Sequence, residues 1–223
     1  MPPANETFQL NSNDGQLNLP DWLCDPWLMN KIRFLALVIC LTATISSLHG
    51  TSVIPPTFDE LVSRAEIIFQ GSVTDVRSQW IGEGAQRHIV TYVTFKVEDA
   101  FKGTPGASYT IRMLGGTVDG QTMEVTDGPK FKLGDHDILF VEHNGQQFIP
   151  LVGIMHGRFR VARDRQSGRD AVMTNSGEPV SDLARLGKED QVAASEKAAI
   201  SPSQFKAAIQ ASMQRSAATA HQP

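Results

Sequence analysis

The run from residue 88 to 98 constrains the fold more than any other stretch. Ile89, Thr91, Val93, Phe95 and Val97 alternate there with Val90, Tyr92, Thr94, Lys96 and Glu98. A period of two sends successive side chains to opposite faces, which predicts a long strand with one face buried. Other apolar runs, punctuated by turn residues, predict companions for it. A strand over 67–76 carries Ile67, Ile68, Phe69, Val73 and Val76, with Gly71 marking a bulge or bend. Tyr109, Ile111 and Met113 follow the turn 102–106, and a short strand over 123–125 sits in the loop between Gly115-Gly116 and Gly128-Pro129. Further strands are expected over 138–141, 148–152, 157–163 and 171–173, the last two joined as a hairpin through 164–168.

Helical signals flank this block. Pro55-Pro56 precede Thr57-Phe58-Asp59-Glu60, a capping-box pattern, and Phe58, Leu61, Val62 and Ala65 follow at helical spacing, so a short helix is predicted over 58–64. The periodic signal fades over the linker 175–200. Ser201-Pro202 then supplies an N-cap and a proline at the first helical position, and Phe205, Ile209 and Met213 form a stripe along a second helix and tail, 201–215. Many short strands with a helix at each end predict a mainly β domain over 53–174, arranged as a small barrel or sandwich.

The front of the chain reads differently. Lys31 and Arg33 precede the apolar run 34–41, and small and polar residues fill 42–52; this is the order of a secretory signal peptide, assigned to 29–52. The run is short of the roughly 20 residues that a spanning helix needs, so it predicts a cleaved leader and no membrane span in the mature chain. Residues 1–28 hold four acids and no base, the wrong charge for the start of a leader, and Met29 stands where a start codon would belong, so 1–28 reads as an untranslated or disordered extension. Both cysteines, Cys24 and Cys40, lie in this portion, which leaves the exported part without a disulfide. Removing residues 1–50 takes Lys31 and Arg33 from 20 bases and Glu6, Asp14, Asp21 and Asp25 from 24 acids, leaving a net charge of −2. Such a balance gives no field to recruit nucleic acid.

Thr57 to Arg77, with Leu61-Val62-Ser63-Arg64-Ala65-Glu66-Ile67-Ile68-Phe69-Gln70-Gly71-Ser72-Val73 at its centre, resembles the opening of bacterial exported domains similar to tissue inhibitors of metalloproteinases. The stretch from Phe95 to Gly103 is similar to their long strand ending in a Lys-Gly turn, and Leu133-Gly134-Asp135-His136-Asp137-Ile138-Leu139-Phe140-Val141 resembles a later apolar strand of theirs. The resemblance spans about residues 53–163 and implies an OB-like barrel of five or six strands. In the inhibitors an N-terminal cysteine, tied by disulfides, presents its amine to the protease metal. This chain has Thr51, Ser52 and Val53 in that place, so inhibition is not carried over with the fold.

No nucleophile elbow, Cys–His pair or phosphate-binding loop is present in the sequence, so no catalytic residue, metal or cofactor is assigned. Asp119, Glu124 and Asp127 lack the alternating spacing of a calcium loop. Gly115 and Gly116 would let backbone approach a ligand, as would the segment around His156; Arg158, Arg160, Arg163 and Arg165 form a basic strip, and Trp80 and Tyr92 supply aromatics. The expected binding residues are therefore Trp80, Tyr92, Gly115, Gly116, His156 and Arg158. The expected function is a non-catalytic periplasmic or secreted binding module that meets a partner, such as an exported protease, through the segments 76–88 and 115–130. Two alternatives stand beside it: a metal-dependent enzyme or metal-binding protein using His136 and His143 with their acidic neighbours, and a structural protein of the envelope.

Overall fold

Backbone contacts in the computed structural model divide the chain into Met1–Ser52 and Val53–Pro223. The structure describes residues 54–164, 167–187 and 198–220, all in the second unit. The expected extension 1–28, the expected leader 29–52 with both cysteines, and part of the expected linker lie outside the described residues.

The described residues are mainly β, with one helix before the strands and one after them. Helix α1 (Phe58–Arg64) starts on the expected capping box: the Thr57 amide donates to Glu60 Oε2 at 2.7 Å and the Glu60 amide to Thr57 Oγ1 at 3.3 Å. Its last carbonyls, otherwise orphaned, accept from Lys102 Nζ at 2.8 Å (Val62) and 3.1 Å (Ser63). Eight strands follow: β1 (Ile67–Ile81), β2 (His88–Lys102), β3 (Ser108–Leu114), β4 (Gly116–Val118), β5 (Gln121–Met123), β6 (His136–Val141), β7 (Arg158–Arg163) and β8 (Asp170–Thr174). Helix α2 (Pro202–Ala220) closes the chain and runs five residues past its expected end.

Six strands form one antiparallel sheet in the order β3-β2-β1-β6-β7-β8, while β4 and β5 pair only with each other. The edge strands β3 and β8 do not pair, so the sheet is open where a closed barrel was expected. Closure is supplied in part by the loop after β6. Asn144 uses its side-chain amide as a one-residue strand, accepting from the Arg112 amide at 3.1 Å and donating to Thr110 O at 2.8 Å. The Leu114 amide reaches Phe148 O at 2.7 Å, and the chain returns to β6 through Val152 N–H to Phe140 O at 3.0 Å. Residues 148–152 thus lie beside β6 without forming the expected strand, since Pro150 has no amide to donate and only the single bridge Val141–Leu151 is made.

β1 is five residues longer than its sequence suggests because it continues up a hairpin with β2, pairing Arg77 with Tyr92 and Trp80 with Ile89. Three register shifts along this pair bend it. At one of them a Cβ on Gly71 would lie 2.5 Å from Lys96 O, which is why the bend requires glycine.

Strand β6 is covered on both faces. Ile138 and Phe140 face a core built with Phe58, Leu61 and Val62 of α1, Phe159, Val172, and Phe205 and Ile209 of α2. Leu139 and Val141 face a second core with Phe69, Val93, Phe95, Ile111, Phe131 and Ile149. Phe205 is the hub of the first core, with ring centroids 5.5 Å from Phe58, 6.2 Å from Phe140 and 4.9 Å from Phe159. Outside the core, α1 and α2 are tied by Asp59 Oδ1, which accepts from Ser212 Oγ at 2.6 Å and from Arg215 at 2.8 Å.

Two outcomes follow from this packing. Phe205→Ala is expected to cost about 3–5 kcal/mol in urea unfolding, whereas Ala at the exposed Phe148 should change stability by less than about 0.5 kcal/mol. The Ser212 hydrogen bond, helped by Arg215 and opposed by burial, holds the Asp59 carboxyl below its ordinary value of 3.8. A depressed folded value stabilises the fold fully above 3.8 and is lost as pH falls through it. Asp59→Asn should therefore lower the urea midpoint at neutral pH, and the gap from the unmodified protein should shrink at about pH 3.

Candidate functional site

The candidate site is the end of the sheet where two hairpins meet. The turn between β1 and β2 is made by 82–87, and the β4–β5 hairpin folds back over the inner face of β1 and β2. Gly115 and Gly116 make this return possible. Both have positive φ, +97° and +135°, and a Cβ on Gly116 would sit 2.3 Å from Thr91 Oγ1 and 2.4 Å from Ser78 Oγ. The backbone of the hairpin therefore rests directly on a pair of hydroxyls.

Between hairpin and sheet lies a cavity of about 230 Å³. Val76, Val93, Met113, Val125, Phe131 and Ile149 supply apolar wall; Ser78 and Thr91, 2.8 Å apart, supply polar wall; Glu124 and Lys130 are its charged lining residues and pair with each other at 3.0 Å. Thr91 Oγ1 also donates to Gly115 O at 2.6 Å. On the hairpin tip the Arg87 guanidinium lies 4.4 Å from the centre of the Trp80 ring.

Arg158 occupies a different place. It is 3% exposed and enters the interior beside Asp137, which is fully buried. Its Nε and one terminal nitrogen grip the two Asp137 oxygens at 3.0 and 3.1 Å; that nitrogen also reaches Asp135 at 2.8 Å, and the other reaches Lys130 O at 2.7 Å and Asn175 Oδ1 at 3.4 Å. Phe131 covers the guanidinium face at 4.1 Å. Burial pushes the Asp137 carboxyl above its ordinary value, and the Arg158 charge and hydrogen bonds pull against that rise. The cluster closes the polar accounts of the interior: among the described residues no buried side-chain nitrogen or oxygen lacks a partner.

The structure thus divides the expected binding residues. Gly115 and Gly116 line the hairpin cavity. His156, in the turn Ile154–Gly157, and Arg158 line a separate cavity of about 120 Å³, where burial lowers the imidazole below its ordinary value. Trp80 and Tyr92 line neither, and they face opposite sides of the β1–β2 hairpin, since Trp80 pairs with Ile89 and Tyr92 with Arg77. The basic strip is also divided: Arg158 points inward, Arg160 and Arg163 are exposed, and Arg165 lies outside the described residues.

His136 and His143 are not brought together. His136 opens β6 and His143 lies two residues past its end, so the length of the strand separates them. His136 Nε2 is 2.7 Å from Glu98 Oε2, and His143 Nε2 is 3.8 Å from Glu66. Among the described residues no group of three His, Cys, Asp or Glu side chains is placed to hold a metal ion. Glu98 also accepts from Ser72 Oγ at 2.5 Å, and although burial works against its charge, that bond and His136 hold its carboxyl below the ordinary value. The Glu98 carboxylate thus bonds to both the Ser72 hydroxyl and the His136 imidazole.

Asp137 had only a weak signal, an acid directly before the apolar run 138–141, and its full burial demands a cationic partner. The Ser78–Thr91 pair had none, because cross-strand register decides it. Comparison with protein-family models, curated proteins and solved structures finds no match.

Replacing Arg158 by Met leaves Asp137 buried without its partner and should cost about 3–5 kcal/mol in urea unfolding. The double replacement Arg158→Met with Asp137→Leu should regain much of that loss, because an apolar pair needs no compensation.

Proposed function

We propose that the chain is an exported, non-catalytic binding module that engages a partner protein with the hairpin end of its sheet, an exported protease being one candidate class. The observation that carries this reading is the convergence of two segments far apart in sequence, 76–88 and 115–130, over one cavity. The Trp80–Arg87 stack supports it, since Trp and Arg are the residue types that most often anchor protein interfaces. The surroundings are polar and of mixed charge, as an interface rim is. Export rests on the leader pattern of 29–52, with its Lys31 and Arg33, apolar run and small-residue tail.

A photo-crosslinking residue placed at Gln86 or Thr122, both exposed, tests the surface in envelope extract. The same discrete protein adduct is expected from both positions, none from Ser203 on α2, and a loss of at least about tenfold in yield on adding Trp80→Ala. Failure of both hairpin positions to give any discrete adduct would remove the basis for a protein partner at this end.

A further inference from the structure

The cavity under the β4–β5 hairpin has chemistry of its own, which does not depend on a protein partner. Its volume of about 230 Å³ lies below the roughly 300–1,000 Å³ of sites for drug-sized ligands. Nucleotides are too large for it. At about 30 Å³ each, on the order of eight water molecules would share it, and each needs two to four polar partners. Much of the polar wall is already paired. Thr117 and Thr122 bond to each other at 2.9 Å, Glu124 to Lys130 at 3.0 Å, and Ser78 to Thr91 at 2.8 Å. The remaining wall is chiefly Val, Met, Phe and Ile side chains together with backbone. Weakly held water of this kind is displaced with a gain in affinity by an apolar group.

The hydroxyl pair sets the polarity of the ligand. Thr91 has one hydroxyl hydrogen, and it is committed to Gly115 O at 2.6 Å. The 2.8 Å contact with Ser78 must therefore use the Ser78 hydrogen, donated to Thr91 Oγ1. Both hydrogens point away from the ligand space, and the lone pairs of Ser78 remain as an acceptor. The charged lining side chains neutralise each other, so the site favours no net charge. Met113 and Met123 adapt to the shape of a guest, and Phe131 offers an aromatic surface.

From this arrangement we infer that the cavity binds a small, uncharged, largely apolar molecule that carries one hydrogen-bond donor, of the size and type of phenol or indole. The ring lies among Met113, Val125, Phe131 and Ile149, and its O–H or N–H donates to Ser78 Oγ.

The full chain, labelled with ¹³C at the methionine methyls, provides the test by NMR titration with phenol, with anisole (the same ring without a donor) and with benzoate (a charged ring). Phenol is expected to shift Met113 and Met123 with a Kd on the order of 1 mM. Anisole should bind about fivefold more weakly, and benzoate should leave both methyls in place. Ser78→Ala should equalise phenol and anisole, while Val125→Trp, which fills the cavity from its loop wall, should abolish both shifts. The methyls of Met155, Met173 and Met213 report that each variant remains folded. Unmoved Met113 and Met123 in phenol overturn the site. Equal binding of phenol and anisole by the unmodified protein overturns the assigned ligand class, as does saturable binding of benzoate at these methyls.

Discussion

A strand buried on both faces cannot hide a charge in water, and β6 is such a strand. Its residues Ile138 and Phe140 serve the core beneath the helices, while Leu139 and Val141 serve the other core. Asp137 lies among them with no solvent contact, so a cation had to come inside with it. Arg158 enters from β7, the neighbouring strand, and its planar fork matches both carboxylate oxygens. The remaining donors then pull in Asp135, Lys130 O and Asn175, which fixes the turn before β6, the crossing segment 124–131 and the end of β8 relative to one another. The net worth of such a cluster to stability is small; what it does is make any other placement of these segments costly.

The open sheet follows from how its edges are treated. An exposed edge is a template for unwanted pairing, and both ends of this sheet are covered by non-strand chain. On β3 the cover is Asn144 and Phe148. On β8 it is the segment 178–180, which bonds to Val172 and Thr174, together with Ile200. A barrel would have removed the edges by pairing them. Here three register shifts bend β1 against β2 beside the Phe69–Phe95 core, while α1 and α2 pack on Ile138, Phe140, Phe159 and Val172.

At the hairpin end of the sheet the second core opens into the cavity, whose wall it shares through Val93, Met113, Phe131 and Ile149. The helices cover the face of β6 that carries Ile138 and Phe140, the Arg158 cluster holds the interior, and the β4–β5 hairpin folds back over β1 and β2. Trp80 with Arg87 marks one tip, and the cavity with the Ser78–Thr91 hydroxyl pair lies under the other. The proposed binding function and the proposed small-molecule site share this end of the domain but use different atoms of it.

Local pattern was enough to read the elements whose stability is local. The capping box of α1, the alternation of β2, the bend at Gly71 and the Phe205–Ile209 stripe all follow from neighbours within a few residues, and all are present in the fold. Patterns were less informative where pairing decides the outcome. The β1 extension to Ile81, the hairpin made by β4 and β5, and the failure of 148–152 to form a strand depend on which backbone groups find partners across the sheet. The candidate site divides in the same way. Gly115-Gly116 was visible as a backbone peculiarity, yet only register places it on Ser78 and Thr91, and only the folded interior turns Arg158 from an apparent surface cation into the counter-ion of Asp137. Sequence by itself determined what each short segment prefers, because those preferences act over a turn or a pleat. Tertiary structure alone decided which distant polar groups meet, because hydrogen bonds and buried charges are satisfied by whatever the fold brings within about 3 Å.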